Sequence, residues 1–111
     1  MEYTVQKLAD LAGISIRTLH YYDEIGLLKP GSILPNGYRH YGEKELIRLQ
    51  QILYFRELDF SLEEIKQILD NPRFDLEPSL LKQRELLQLK KKRLNKIISN
   101  LDKTLFNYKL N

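Results

Sequence analysis

Apolar residues recur at helical spacing along most of this chain, and the phase resets at a few polar or glycine positions. Val5, Leu8, Ala9 and Ala12 form one face of a first helix, with Thr4 before them and Gly13 after them. Ser15 can cap a second helix, because its hydroxyl can accept from an exposed amide of the first turn. Ile16 and Leu19 give that helix an apolar back, and Gly26 with Lys29-Pro30 stops it. Between Ser32 and Tyr41 helical spacing lapses. Asn36-Gly37 there predicts a two-residue hairpin, since both residues tolerate the positive φ of such a turn. Glu43 to Leu58 is a longer helix with Leu46, Leu49, Ile52, Leu53 and Phe55 inward. Ser61 and Glu64 form a capping box for a further helix carrying Leu62, Ile65, Ile68 and Leu69, and Pro72 ends it.

A last helix runs from about Leu76 towards the C-terminus, with Asp75 able to cap it and Pro78 tolerated in its first turn. At 1.5 Å per residue, its roughly 33 residues span about 50 Å. Leu80, Leu87, Leu94 and Leu101 recur every seven residues and Tyr108 continues the series. The positions four further on are Arg84, Lys91, Ile98 and Leu105, so the seam is clean only in its second half. A stripe of this kind on a lone helix stays wet, which predicts dimerisation through Leu80, Leu87, Leu94, Ile98, Leu101 and Leu105.

Composition narrows the class. The chain has 111 residues, 42% of them hydrophobic, and so can build one small core. It has no cysteine, which excludes disulfides and thiolate metal sites and suits a reducing cytoplasm. No apolar run approaches the roughly 20 residues of a membrane span, and no basic-then-apolar leader is present. The net charge of +3 hides an asymmetry. Residues 1–75 carry 9 Lys+Arg against 12 Asp+Glu, and residues 76–111 carry 9 against 3. Bulk charge therefore argues against nucleic acid at the first part, and only local placement can argue for it.

That placement is found on the second helix. With Ser15 as cap and about 100° per residue, Arg17, Thr18 and Tyr21 share the side opposite Ile16 and Leu19, flanked by His20 and Tyr22. An apolar back and a front of long polar side chains near the N-terminus are what a helix in the major groove requires. Arg17 can grip a phosphate or a guanine edge, Thr18 and Tyr21 can donate, and the helix N-terminus favours an anion. Tyr38 and Arg39, just past the hairpin, are phosphate partners that carry no sequence information; Tyr41 is expected to be buried. Lys90-Lys91-Lys92-Arg93 reads as a solvated helix face. Catalysis has little to stand on: His20 and His40 are the only histidines, metal-ligand spacing is absent, and so is a glycine-rich phosphate loop. No cofactor, metal or catalytic residue is expected.

Thr4-Val5 through Gly13, Ser15 through Asp23, Gly26-Leu27-Leu28, Gly37 through Tyr41 and Phe60 through Ile65 together resemble the MerR family of bacterial regulators. Leu49-Gln50-Gln51-Ile52-Leu53, Asn71 through Asp75 and Leu101 through Leu105 are most similar to its multidrug-transporter activator (Mta) and TipA branch. The resemblance implies a mainly α fold. Residues 1–71 would form a winged helix-turn-helix head, with the helix-turn-helix at about 5–24 and the wing at about 32–41. Residues 72–111 would form a linker and an antiparallel coiled-coil dimerisation helix. It implies a homodimer on double-stranded promoter DNA, distorting an over-long spacer for RNA polymerase. Carried over residue by residue, the DNA contacts would be Thr4, Ser15, Arg17, Thr18, His20 and Tyr21 from the helix-turn-helix, Tyr38 and Arg39 from the wing, and Lys66 from a second wing.

Three departures stand out. His20 lies where the family often has Arg, and so replaces a permanent charge with a titratable one. Asp59 lies where Gly is common. Members usually carry an effector-binding domain after the coiled coil. The expectation is therefore an N-terminal region rather than a naturally effector-less protein, with a small-molecule effector only if a further domain follows. Two other readings keep the same fold: an architectural, excisionase-like DNA-binding protein, and a winged-helix protein-interaction module.

Overall fold

The computed structural model describes residues 2–110. Two compact units emerge, Met1–Phe74 and Asp75–Asn111. Among the described residues no helix is long and apolar enough to cross a membrane.

The first unit, the head, begins with strand β1 (Tyr3–Thr4), helix α1 (Val5–Ala12) and helix α2 (Ile16–Glu24). Thr4 and Ser15 cap the two helices, accepting from the amides of Lys7 and Thr18. Strands β2 (Ser32–Ile33) and β3 (Arg39–Tyr41) then pair antiparallel, and β1 adds to the other side of β3, giving the order β1-β3-β2. The register sets Tyr3 opposite Tyr41, Thr4 opposite His40 and Ile33 opposite Arg39. Helices α3 (Glu43–Glu57) and α4 (Leu62–Asp70) complete the head.

The core gathers Tyr3 from β1, Leu8 and Ala9 from α1, Leu19 and Tyr22 from α2, Leu27 and Leu28 from the turn after it, Tyr41 from β3, Leu49, Ile52 and Phe55 from α3, and Ile65 and Leu69 from α4. Leu46, Leu53, Leu62 and Ile68 pack partly buried around it, so the inward faces match the sequence periodicity. The α3–α4 corner is closed by Asp59, whose φ of +66° is the one positive value among the described non-glycine residues. The left-handed turn lets Phe60 N–H reach Phe55 O at 3.1 Å and sets the two rings 5.0 Å apart. Ser61 and Glu64 form the expected capping box: the Ser61 hydroxyl accepts from Glu64 N–H, and the Glu64 carboxylate accepts from Ser61 N–H. Those bonds hold the Glu64 carboxyl below its ordinary range.

Two expectations are corrected. The hairpin tip is a three-residue loop, not a two-residue one. Gly37 N–H reaches Leu34 O at 2.8 Å, Leu34 N–H reaches Tyr38 O at 2.8 Å, and only Gly37, at φ +86°, is left-handed. Pro35 supplies the fixed φ of a type I turn, and Asn36 accepts from Tyr38 N–H at 3.1 Å instead of taking a positive φ. Tyr22, expected beside the outward face of α2, is buried at 6% exposure. It lies three residues after Leu19 and so continues the apolar back.

The second unit, the tail, is a single helix, α5 (Leu76–Leu110), of 35 residues. Leu94, Ile98, Leu101 and Leu105 are between 48% and 56% exposed on it. Lys91, Lys92 and Arg93 face solvent, as the reading of a solvated face expects.

Candidate nucleic-acid interface

The candidate interface comprises two helix N-termini and the wing. Neither α1 nor α2 has an acidic residue in its first turn, whereas α3 carries Glu43 and Glu45 there and α4 carries Glu63 and Glu64. The partial positive charge of the first two helix ends is thus left uncompensated within a head of net negative charge. At the start of α2, the Ser15 and Thr18 hydroxyls lie 2.8 Å apart, and Ser15 Oγ also accepts from Thr18 N–H. One hydroxyl hydrogen joins the pair, so the other remains to donate outward, whichever way the bond runs.

Arg17, His20 and Tyr21 stand exposed on α2 as expected, and Thr18 is half-buried. Next to α2, a cleft of about 380 Å³ is lined by Thr4, Val5, Gln6, His20, Gly37, Tyr38 and Arg39. It brings together four residues singled out from sequence on three separate segments: Thr4, His20, Tyr38 and Arg39. Tyr38 projects at 68% exposure, so its hydroxyl is free to meet a backbone oxygen. The wing's sheet sets this geometry. Register with β1 holds Thr4 opposite His40, and the Gly37 turn carries Tyr38 out of the strand.

Arg39 is only partly turned to the cleft, because its Nε donates to Asp23 Oδ2 at 3.1 Å. Lys29 approaches the other oxygen of Asp23 at 3.7 Å. Lys66 sits apart from the cleft, on α4. Its arm lies 3.4 Å from where a side chain on Gly26 would begin, and its ammonium donates to Asp70 at 2.7 Å. Asp70 also accepts from Arg48 at 2.8 Å, while the Nε of Arg48 donates to Leu27 O at 2.7 Å. The Lys66 bond, with Arg48 behind it, holds the Asp70 carboxyl below its ordinary range.

The sequence agrees with this geometry. Residues 3–72 match the profile of MerR HTH family regulatory proteins, and residues 46–105 match that of MerR DNA binding. The chain belongs to the MerR family. It is 49% identical over 105 residues to the HTH-type transcriptional activator mta of Bacillus subtilis, a match covering 95% of this chain and 41% of mta. The chain therefore spans about two fifths of that relative's length. The crystal structure of the transcriptional regulator SkgA from Caulobacter crescentus superposes with a TM-score of 0.84 at 47% identity, over 95% of this chain and 76% of that one. The crystal structure of HiNmlR, a MerR family regulator lacking the sensor domain and bound to promoter DNA, superposes at 0.74 with 28% identity, over 98% and 91%.

Within this MerR-family head, sequence reasoning missed Asp23 and Arg48. Asp23 reads as an ordinary helix-end acid, yet a carboxylate at a helix C-terminus is electrostatically misplaced and calls for a cation. That conflict was the available signal. Arg48 gave none, because Leu27 and Leu69 meet it through backbone carbonyls and its carboxylate partner Asp70 lies 22 residues on.

Proposed function

We propose that this chain is the DNA-binding and dimerising part of a transcription regulator, acting in the cytoplasm as a homodimer on a pseudo-palindromic promoter spacer. The observation that carries this reading is the convergence of Thr4, His20, Tyr38 and Arg39 on one cleft beside the exposed face of α2. In the proposed mode Arg17 and Tyr21 meet the major groove, with Thr18 and Ser15 donating at the helix start. Tyr38 and Arg39 hold the flanking phosphates, Thr4 and His20 support them, and Lys66 is a further phosphate contact. The seam Leu80, Leu87, Leu94, Ile98, Leu101 and Leu105 pairs two tails antiparallel, so that one duplex receives two heads. Engaging both then bends and untwists the spacer for RNA polymerase. Smooth bending on this scale costs on the order of 1–6 kcal/mol, offset by the contacts of both wings.

Selection from a random duplex pool tests the reading. It predicts enrichment of an inverted repeat, bound with an affinity that falls steeply as salt rises. The acidic balance of residues 1–75 favours one competitor, a winged-helix module that docks on protein. A pool without enrichment and an affinity indifferent to salt would select that competitor.

A further inference from the structure

Asp23 is the acidic side chain bound to Arg39, the cation of the hairpin wing proposed to meet DNA. It lies in the last turn of α2, where the helix's own partial charge is negative, and it is 18% exposed. An acid so placed, and so near a proposed phosphate site, is unfavourable for helix stability and for DNA affinity alike. Its partners give it a purpose. Arg39 donates through Nε alone, which leaves the two terminal nitrogens of its guanidinium beyond the bridge. Those nitrogens are the pair that can fork onto a phosphate. The Asp23–Arg39 bridge joins the last turn of α2 to β3. Tyr41, two residues on and facing the same side of β3, is fully buried, and its hydroxyl makes no hydrogen bond. Burial, and after it the charge of Asp23, push that hydroxyl's pKa up, while Arg39 pulls it down. The bridge therefore stands at the edge of the core, with Arg39 partly open to solvent.

We infer that Asp23 is a positioning residue for DNA binding. Its carboxylate fixes the bearing of the Arg39 guanidinium relative to α2, so that one edge is held by the head and the other is presented to a phosphate. Lys29, on the second oxygen, keeps the carboxylate aimed. The inference rests on the proposed phosphate role of Arg39.

Because phosphate contacts are sequence-independent, a labelled mixed-sequence duplex of roughly 30 base pairs at low salt serves as probe. The usual electrostatic expectation is that Asp23→Ala tightens binding, since it removes a negative charge facing DNA. Positioning predicts the opposite sign: a loss of about five- to tenfold, with the salt slope reduced by about one. In an Arg39→Ala background the same change then does nothing further. Asp23→Asn, which keeps a neutral acceptor, recovers part of the loss, and its thermal melt checks folding independently. Affinity equal to or above that of the unmodified chain in Asp23→Ala, or an equal loss in both backgrounds, overturns the inference. So does an Arg39→Ala variant that binds normally, and this result leaves the DNA-binding reading standing. Failure of the unmodified chain to bind any duplex removes that reading itself.

Discussion

The head and the tail spend their apolar residues in opposite ways. In the head, Leu8, Leu19, Leu27, Leu49, Ile52 and Ile65 are fully buried against one another. In the tail, Leu101, Leu105 and Phe106 are 55%, 56% and 64% exposed on a 35-residue helix, although helices in proteins draw most of their stability from packing an apolar face. Their charges also differ: 9 cations to 12 acids in residues 1–75, and 9 to 3 in residues 76–111. One chain is enough to explain the head. Under the proposed function a second copy, which has the same periodicity, covers the tail's stripe. If the proposed dimer holds, folding and assembly are written in different segments, and substitutions should separate them.

The largest expected effect is the sharpest separation. Leu49→Ala removes a fully buried side chain from the head and should cost about 2–5 kcal/mol in a denaturant titration. Leu101→Asp should instead break pairing, lowering the sedimenting mass and DNA affinity while the head's circular dichroism stays native. If Leu101→Asp unfolds the head, the two segments are not separable in this way. Next in size is Arg17→Ala, which leaves both folding and pairing alone. It should weaken the selected operator by about 1–3 kcal/mol in fluorescence anisotropy. Unchanged affinity would take α2 out of the groove.

Smaller effects probe the head alone. Asp59 holds a left-handed conformation, φ +66°, without hydrogen bonds that require an acid there. Such a conformation costs a non-glycine residue roughly 1–2 kcal/mol, part of which Gly returns as lost chain entropy. Asp59→Gly should therefore raise the head's melting temperature slightly; a lower value would mean that Asp59 has a role in the turn. The smallest effect is acid sensitivity. The Glu64 and Asp70 carboxyls are held below their ordinary range, Glu64 by the Ser61 amide and hydroxyl and Asp70 chiefly by Lys66. A depressed carboxyl stabilises the fold above its unfolded value, and that contribution is lost as pH falls through the native one. Melts should therefore weaken below about pH 4, under the ordinary Glu value. Glu64→Gln keeps the capping geometry without the titration and should show a shallower decline; identical curves would remove the capping box from the acid response.

Most of the fold was legible because it rests on local rules. Thr4, Ser15 and the Ser61–Glu64 pair announced three helix starts, and the inward faces of α3 and α4 followed from spacing. Tyr22 was misread because a Tyr beside Tyr21 looked like part of a polar front, whereas its phase belongs with Leu19. The Asn-Gly pair was misread because Pro35 had already committed the turn to type I, leaving only Gly37 to reverse the chain. The candidate interface was legible as residue types on α2 and the wing. The Asp23–Arg39 bridge and the Arg48 contacts were not, because they join positions 16 and 21 residues apart through tertiary packing. Periodicity carries no record of such pairs.

The central claim is that the tail's exposed stripe joins two chains so that one duplex receives two heads. Sedimentation equilibrium of the purified chain at micromolar concentration, alone and with the selected duplex, tests it most directly. The account predicts twice the mass of one chain in the first case and two chains per duplex in the second. A single-chain mass alone, together with one chain per duplex, would contradict it.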